Sequence, residues 1–288
     1  MGFSQPRWQF ATILGISAVV APAAADEQAW QRSHDAGWTA YQGGRPDEAE
    51  LHLRAAATEC RAFDPQDPRV ATTLDHLAWA FSVQGKFDEA EPLAKWALAA
   101  REKRLGSGHH EVAESLNTLA CLYHAQARPS EAEPLFRRCL AIEEEVSGRE
   151  HRDIAAILDN LATVCHLQDK YAEAEGLYKR AITIREQAPK TAELELAPSL
   201  HNLATLYLDQ GRYADAELLF KRSLAIREKV LGRTHPDVAT SLESVIRLLT
   251  AQGKHAEAKR IEARVVDIWT ILAQAETAKE QPHPSREP

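Results

Sequence analysis

The sequence predicts an all-α protein built from about six stacked helix pairs. Alanines recur at Ala49, Ala90, Ala132, Ala174, Ala216 and Ala258, spaced 41 residues once and 42 thereafter. Self-similarity at such a period marks a repeat array. Between these anchors, apolar residues fall on one helical face: Leu200, Leu203, Ala204 and Tyr207 sit at i, i+3, i+4 and i+7. No segment alternates with a period of two, so no sheet is expected.

The chain begins with a different kind of segment. One side-chain charge, Arg7, precedes an apolar run from Phe10 to Val20, and Ala23, Ala24 and Ala25 follow. A basic start, a short apolar middle and small residues before a cut make up a secretory signal. Residues 1–25 are therefore expected to be cleaved after Ala25. The apolar run is too short to span a bilayer comfortably. With no twin arginine ahead of it, the general secretory route is favoured. The small-residue cut has a bacterial look, so the mature chain is expected in the periplasm or outside the cell. Cleavage leaves 33 Lys+Arg against 42 Asp+Glu, and the net charge moves from −8 to −9.

The repeat units are placed at 26–66, 67–108, 109–150, 151–192, 193–234 and 235–277. A first helix ends near a turn such as Gln210-Gly211-Arg212-Tyr213, with plain copies starting at Gln84, Gln168 and Gln252 and weaker ones at Gln42 and Gln126. The second helix opens with acids (Asp215, Glu217) and closes with bases (Arg227, Lys229), which complements its dipole at both ends. Ala78, Ala120, Ala162 and Ala204 mark a column where paired helices approach closely. Ile246 replaces them in the last unit, which reads as a looser terminal cap. A single pair cannot bury enough surface to offset its own ordering, so neighbours must stack. Residues 278–288, rich in Pro and Glu, read as a disordered tail.

These units resemble tetratricopeptide repeats, in the 42-residue form found in kinesin light chains. The residues carrying the resemblance are Leu200-x-Asn202-Leu203-Ala204-x-x-Tyr207, Gln210-Gly211-Arg212-Tyr213, Ala216-Glu217, Leu224-Ala225-Ile226-Arg227-Glu228 and Leu231-Gly232-x-x-His235-Pro236-Asp237-Val238-Ala239. Three places depart from it. Unit one carries Ala36-Gly37 and an extra Gly43, unit three has Arg128-Pro129-Ser130 at the turn, and Pro189-Lys190 stands where Leu-Gly is usual. The resemblance implies a right-handed α-solenoid of antiparallel helix pairs. It also implies a peptide held along a concave groove lined by the first helices.

Read onto that groove by position, the first helices supply four columns. They bring Trp38, Asp75, His76, Trp79, Asn117, Asp159, Asn160, His201 and Asn202 forward as candidate peptide contacts. Asn donates and accepts, which suits an extended backbone or ties neighbouring helices together. The columns hold five acids (Asp35, Asp75, Glu114, Asp159, Glu243) and one base, Arg247, so a neutral or basic ligand is expected. That differs from the acidic cargo peptides kinesin light chains take. Trp38, Trp79 and Tyr41 are read either as an apolar pocket or as cover for the first helix-pair junction.

Other chemistries find little support. His109, His151 and His235 share a position in the loop that opens a unit, which suggests a loop or cap role rather than a metal site. Cys139 and Cys165 could face each other as a disulfide or lie apart as small buried hydrophobes. No phosphate loop, nucleophile elbow or dinucleotide turn occurs. The acidic charge disfavours nucleic acid. The expected function is an exported, non-enzymatic adaptor or scaffold that binds a protein or peptide partner and needs no cofactor or metal. It makes no stable membrane insertion after cleavage. The rival reading is a scaffold that self-associates into a homo-oligomer without a groove ligand.

Overall fold

The computed structural model describes residues 26–187 and 193–280, with side chains described to residue 275. Residues 1–25 (expected to be a signal segment), Pro189-Lys190 and residues 281–288 lie outside them. Twelve α-helices and one short 3₁₀ turn, Cys60–Ala62, make up the described residues, with no strand among them. In chain order the helices are α1 (Glu27–Gln42), α2 (Pro46–Glu59), α3 (Pro68–Val83), α4 (Phe87–Leu105), α5 (His110–Ala125) and α6 (Pro129–Val146). They continue as α7 (Ile154–His166), α8 (Tyr171–Glu186), α9 (Glu193–Asp209), α10 (Tyr213–Leu231), α11 (Pro236–Ala251) and α12 (His255–Glu280). The chain divides into two compact units, 1–149 and 150–288. α1 to α6 belong to the first and α7 to α12 to the second.

Local chemistry sets the helix starts. Asp26 caps α1 by accepting from the Ala29 N–H at 2.9 Å, and Asp67 caps α3 by accepting from Arg69 at 3.0 Å. Proline opens α2, α3, α6 and α11, where its missing N–H costs nothing. His109 and His235 cap α5 and α11 through Nδ1, which accepts from Glu111 and Asp237 at 3.2 and 3.1 Å. His151 Nδ1 accepts from Asp153 at 3.4 Å. The shared sequence position is thus a cap at His109 and His235, while His151 bonds within the turn that leads to α7, whose N-cap is Asp153.

The turn inside each pair needs a left-handed residue. Gly44 and Gly85 supply it in the first unit, and Gly211 and Gly253 in the second, at φ between 69° and 75°. The same position holds Ala127 (φ 55°) before α6 and Asp169 (φ 59°) before α8. A Cβ is strained in that region.

In the first unit α1 packs on α2, α3 on α4 and α5 on α6, while α2 and α4 each pack on the next first helix. The second unit repeats this with α7 to α12. Ala78, Ala120, Ala162 and Ala204 are buried between paired helices, as their spacing predicts. Gly37 takes this position in α1. A Cβ there would sit 2.7 Å from Leu53 Cγ, so the first pair closes only over glycine. Ile246 is only partly buried and packs against Val238, Ala239, Leu242, Val265 and Ile268. Large cores recur by register: Phe136, Tyr178 and Phe220 are almost fully buried at 42-residue steps. α12 runs through Glu280, past the expected start of the tail at Ala278.

Candidate functional site

Two arrangements occupy the first helices, one of rings and one of buried charge. In the first unit α1 places Trp30, His34, Trp38 and Tyr41 along one side, and α3 places His76 and Trp79 beside them. Tyr41 and Trp38 lie nearly parallel with centroids 5.3 Å apart. Trp38 stacks on His76 at 4.1 Å and 14°. His76 Nδ1 and His34 Nε2 share a hydrogen bond of 3.0 Å, which sets the two imidazoles edge to edge and nearly coplanar. His34 then lies parallel to Trp30 at 5.0 Å. Trp79 leans on Tyr41 at 6.4 Å.

Both ends of this row are anchored. Trp30 Nε1 donates to Thr73 on α3 at 2.9 Å, and Trp79 Nε1 donates to Thr118 on α5 at 3.1 Å. Trp30 is buried, whereas Trp38, Tyr41, His76 and Trp79 are half-buried. The row is therefore part core and part surface. Burial, then His34 and Arg101, lower His76 to about 3, so it is neutral at physiological pH. Burial likewise lowers His34.

The expected groove acids behave differently. Asp75 and Asp159, expected in an open groove, are buried. Arg101, from the end of α4, donates to Asp75 at 2.7 Å, to Ser115 at 3.0 Å and to the Glu111 carbonyl at 2.9 Å. Ser115 donates to the same Asp75 oxygen at 2.7 Å. Only 5 % of either charged side chain is exposed, so the pair is an internal tie across α3, α4 and α5. The second unit repeats it 84 residues later, where Arg185 and Ser199 both bond Asp159. The physical reason for the correction is that a partnered buried carboxylate costs far less than a bare one, and the helix-end arginine reaches it.

The intervening repeats change the tie. Unit three has Asn117 and Glu143 at the equivalent positions, and Glu143 instead bonds His110 Nδ1 at 2.6 Å. Unit five keeps Arg227, bonded to Ser241, and puts His201 at the Asp position. Burial, then Arg227 and Arg247, lower His201 to about 4. Its ring meets Phe220 edge-on at 5.3 Å, and its Nε2 lies 3.4 Å from Ser244 Oγ. The sequence reading missed these ties. Their signal was the 84-residue recurrence of Arg, Asp and Ser.

The other candidates remain near the surface. Asn117, Asn160 and Asn202 are half-buried. Asn117 Oδ1 is buried without a hydrogen-bond partner. The exposed charge on α1 and α5 is acidic at Asp35 and Glu114, 62 % and 51 % exposed, and Gln31 donates to both Asp35 oxygens at 2.8 Å. Glu114 is shared by Arg101 at 3.4 Å and His110 at 3.6 Å.

The expected alternative of a Cys139–Cys165 bridge is not formed. Neither cysteine is in a disulfide, and the two belong to different units. Both are buried, and burial pushes the Cys139 thiol up to about 12. The Cys60 and Cys121 thiols rise to about 11 and 12 for the same reason, which keeps them protonated and unreactive. Among the described residues no helix is long and apolar enough to cross a membrane.

The pattern of the tetratricopeptide repeat matches residues 39–103, 83–145, 131–187 and 195–270. The chain belongs to the tetratricopeptide repeat family. The tetratricopeptide repeats of a putative kinesin light chain from Podosopora anserina are 26% identical over 75% of this chain and 98% of that one, with a TM-score of 0.60. BtubC (BKLC) from P. vanneervenii is 21% identical over 91% and 96% of the two chains, with a TM-score of 0.61. A Rap protein crystallised with competence and sporulation factor is 15% identical over 94% and 82%, also with a TM-score of 0.61. The last two show a shared fold. No curated protein sequence matches the chain. Tetratricopeptide repeat proteins are generally non-enzymatic and bind protein or peptide partners, and this chain is similar to the kinesin-light-chain form.

Proposed function

We propose that this tetratricopeptide repeat protein is an exported, non-enzymatic adaptor. It holds a neutral or basic peptide segment against the first helices of its repeats. The observation that carries this is the half-buried surface of Trp38, Tyr41, His76 and Trp79 on α1 and α3, with exposed Asp35 on the same helix as Trp38. Rings already fixed by stacking and by the Trp79–Thr118 bond lose little freedom on binding. Tryptophan and tyrosine are the usual anchors of interfaces, and an electron-rich ring face favours a cationic side chain. With Asp75 and Asp159 neutralised internally, the preference for basic ligands rests on Asp35 and, more weakly, on the shared Glu114. The Rap protein, crystallised with competence and sporulation factor, supports a partner-binding role for such a fold, at the level of the fold alone.

Export rests on the charged start, apolar run and alanine cut of residues 1–25. Asp26, which would become the first residue, is already the cap of α1. An array of short peptides matched in length and graded from acidic to basic tests the binding reading. Signal should rise with positive charge and fall on Trp79→Ala. Preferential capture of acidic peptides, or equal capture by the variant, would refute it.

A further inference from the structure

We infer that α12 is a self-association surface, and that two copies of this chain pair through it about a two-fold axis. The repeat register shows what the face lacks. In α10, Leu224 packs against the Val238, Ala239 and Leu242 cluster, and Arg227 bonds Ser241 on α11. A step of 42 residues places Val266 at the Leu224 position and Trp269 at the Arg227 position. In the interior repeats a following first helix covers these positions. Within the second unit none of the described residues covers them on α12: Val266 is 63% exposed and Trp269 44%.

The residue types at this register have also changed. Arg101, Glu143, Arg185 and Arg227 hold the second position in α4, α6, α8 and α10, and α12 alone puts an aromatic there. Of the exposed positions between 263 and 275, only Asp267 is charged. A helix end meant for water would carry a polar face.

Two alternative covers are disfavoured by composition. Residues 281–288, Gln-Pro-His-Pro-Ser-Arg-Glu-Pro, carry no Leu, Ile, Val, Met, Phe, Tyr or Trp, and their apolar surface is that of three proline rings. Every exposed residue of α1 is polar (Glu27, Gln28, Gln31, Arg32, Asp35, Thr39 and Gln42), so head-to-tail stacking would bury Trp269 against charge. A second copy of α12 offers an apolar surface that matches it. Antiparallel packing about an axis near residues 267 and 268 sets Val266 of one copy against Trp269 of the other, twice. That self-complementary contact closes at two copies.

Sedimentation velocity of the purified chain at about 50 μM tests this. The expected result is a species of twice the chain mass. Val266→Glu with Trp269→Glu should weaken the dimer at least about tenfold and leave the helical circular dichroism unchanged. Ile271→Glu, which alters an exposed residue on another side of α12, should leave it intact. A monomeric wild type at that concentration would overturn the inference. So would a dimer that survives the double substitution, one lost equally on Ile271→Glu, or a mass that keeps growing with concentration.

Discussion

At the scale of single residues, the ring row and the buried acids make opposite demands on pH. His76 is held at about 3, below its unfolded value near 6.5. The stability gained by keeping it neutral is present above pH 6.5 and is lost as pH falls below that. Asp75 is pushed up to about 7 by burial, opposed by Arg101 and Ser115, against an unfolded value near 3.9. Its contribution is full below about pH 4 and lost as pH rises through 7. His76→Phe keeps a ring between Trp38 and His34, and should reduce the fall in Tm between about pH 6.5 and 4.5. Asp75→Asn should flatten the dependence between about pH 4 and 7. Thermal melts across that range check both, and unchanged slopes would show that other groups govern the pH response. Trp38→Ala removes two stacked contacts at a half-buried site and should cost about 1–2 kcal/mol by urea unfolding.

At the scale of elements, the turn and the charge tie carry separate tests. Ala127 occupies a left-handed turn that glycine fills in four other repeats. Ala127→Gly should therefore stabilise the chain by about 0.5–1 kcal/mol, the strain relieved outweighing the added chain entropy. A lower urea midpoint for the variant would show that the turn tolerates a Cβ. Arg101→Met would strand the Asp75 carboxylate between three helices at a cost of about 3–5 kcal/mol. Adding Asp75→Leu should recover most of that loss, since an apolar pair of similar volume is often no worse than a buried ion pair. Failure to recover would mean that Ser115, and Thr72, which accepts from Arg101 at 3.2 Å, depend on the pair for their own placement.

These elements also show what the sequence made legible. The helix pairs, their turns and the small-residue column are local or strictly periodic properties, so spacing alone exposed them. The histidine caps at His109 and His235 were legible because they repeat one position, which His151 shares without capping its helix. Whether a polar residue on the first helix faces water or a neighbour depends on a side chain from another element. Asp75 and His76 are adjacent in sequence, yet one is sealed by Arg101, 26 residues away, and the other reaches the surface beside Trp38. Column reading could not separate them. The tryptophan row was visible only as a shared column, and its extension through two histidines came from packing.

At the scale of the whole molecule, the chain is a tetratricopeptide repeat array whose proposed work is adaptation between proteins outside the cytoplasm. Secretion of the full-length precursor predicts a mature N-terminus at Asp26, which intact-mass analysis of the exported form would reveal as the loss of residues 1–25. Retention of Met1 in that form would contradict export by cleavage. The measurement that bears most directly on the adaptor itself is a calorimetric titration of the strongest basic peptide from the array. It would compare the wild-type chain with a variant carrying both Trp38→Ala and Trp79→Ala. Binding through α1 and α3 predicts a Kd at least about tenfold weaker in the variant while its far-ultraviolet spectrum is preserved. An unchanged Kd in a folded variant would contradict binding at this face.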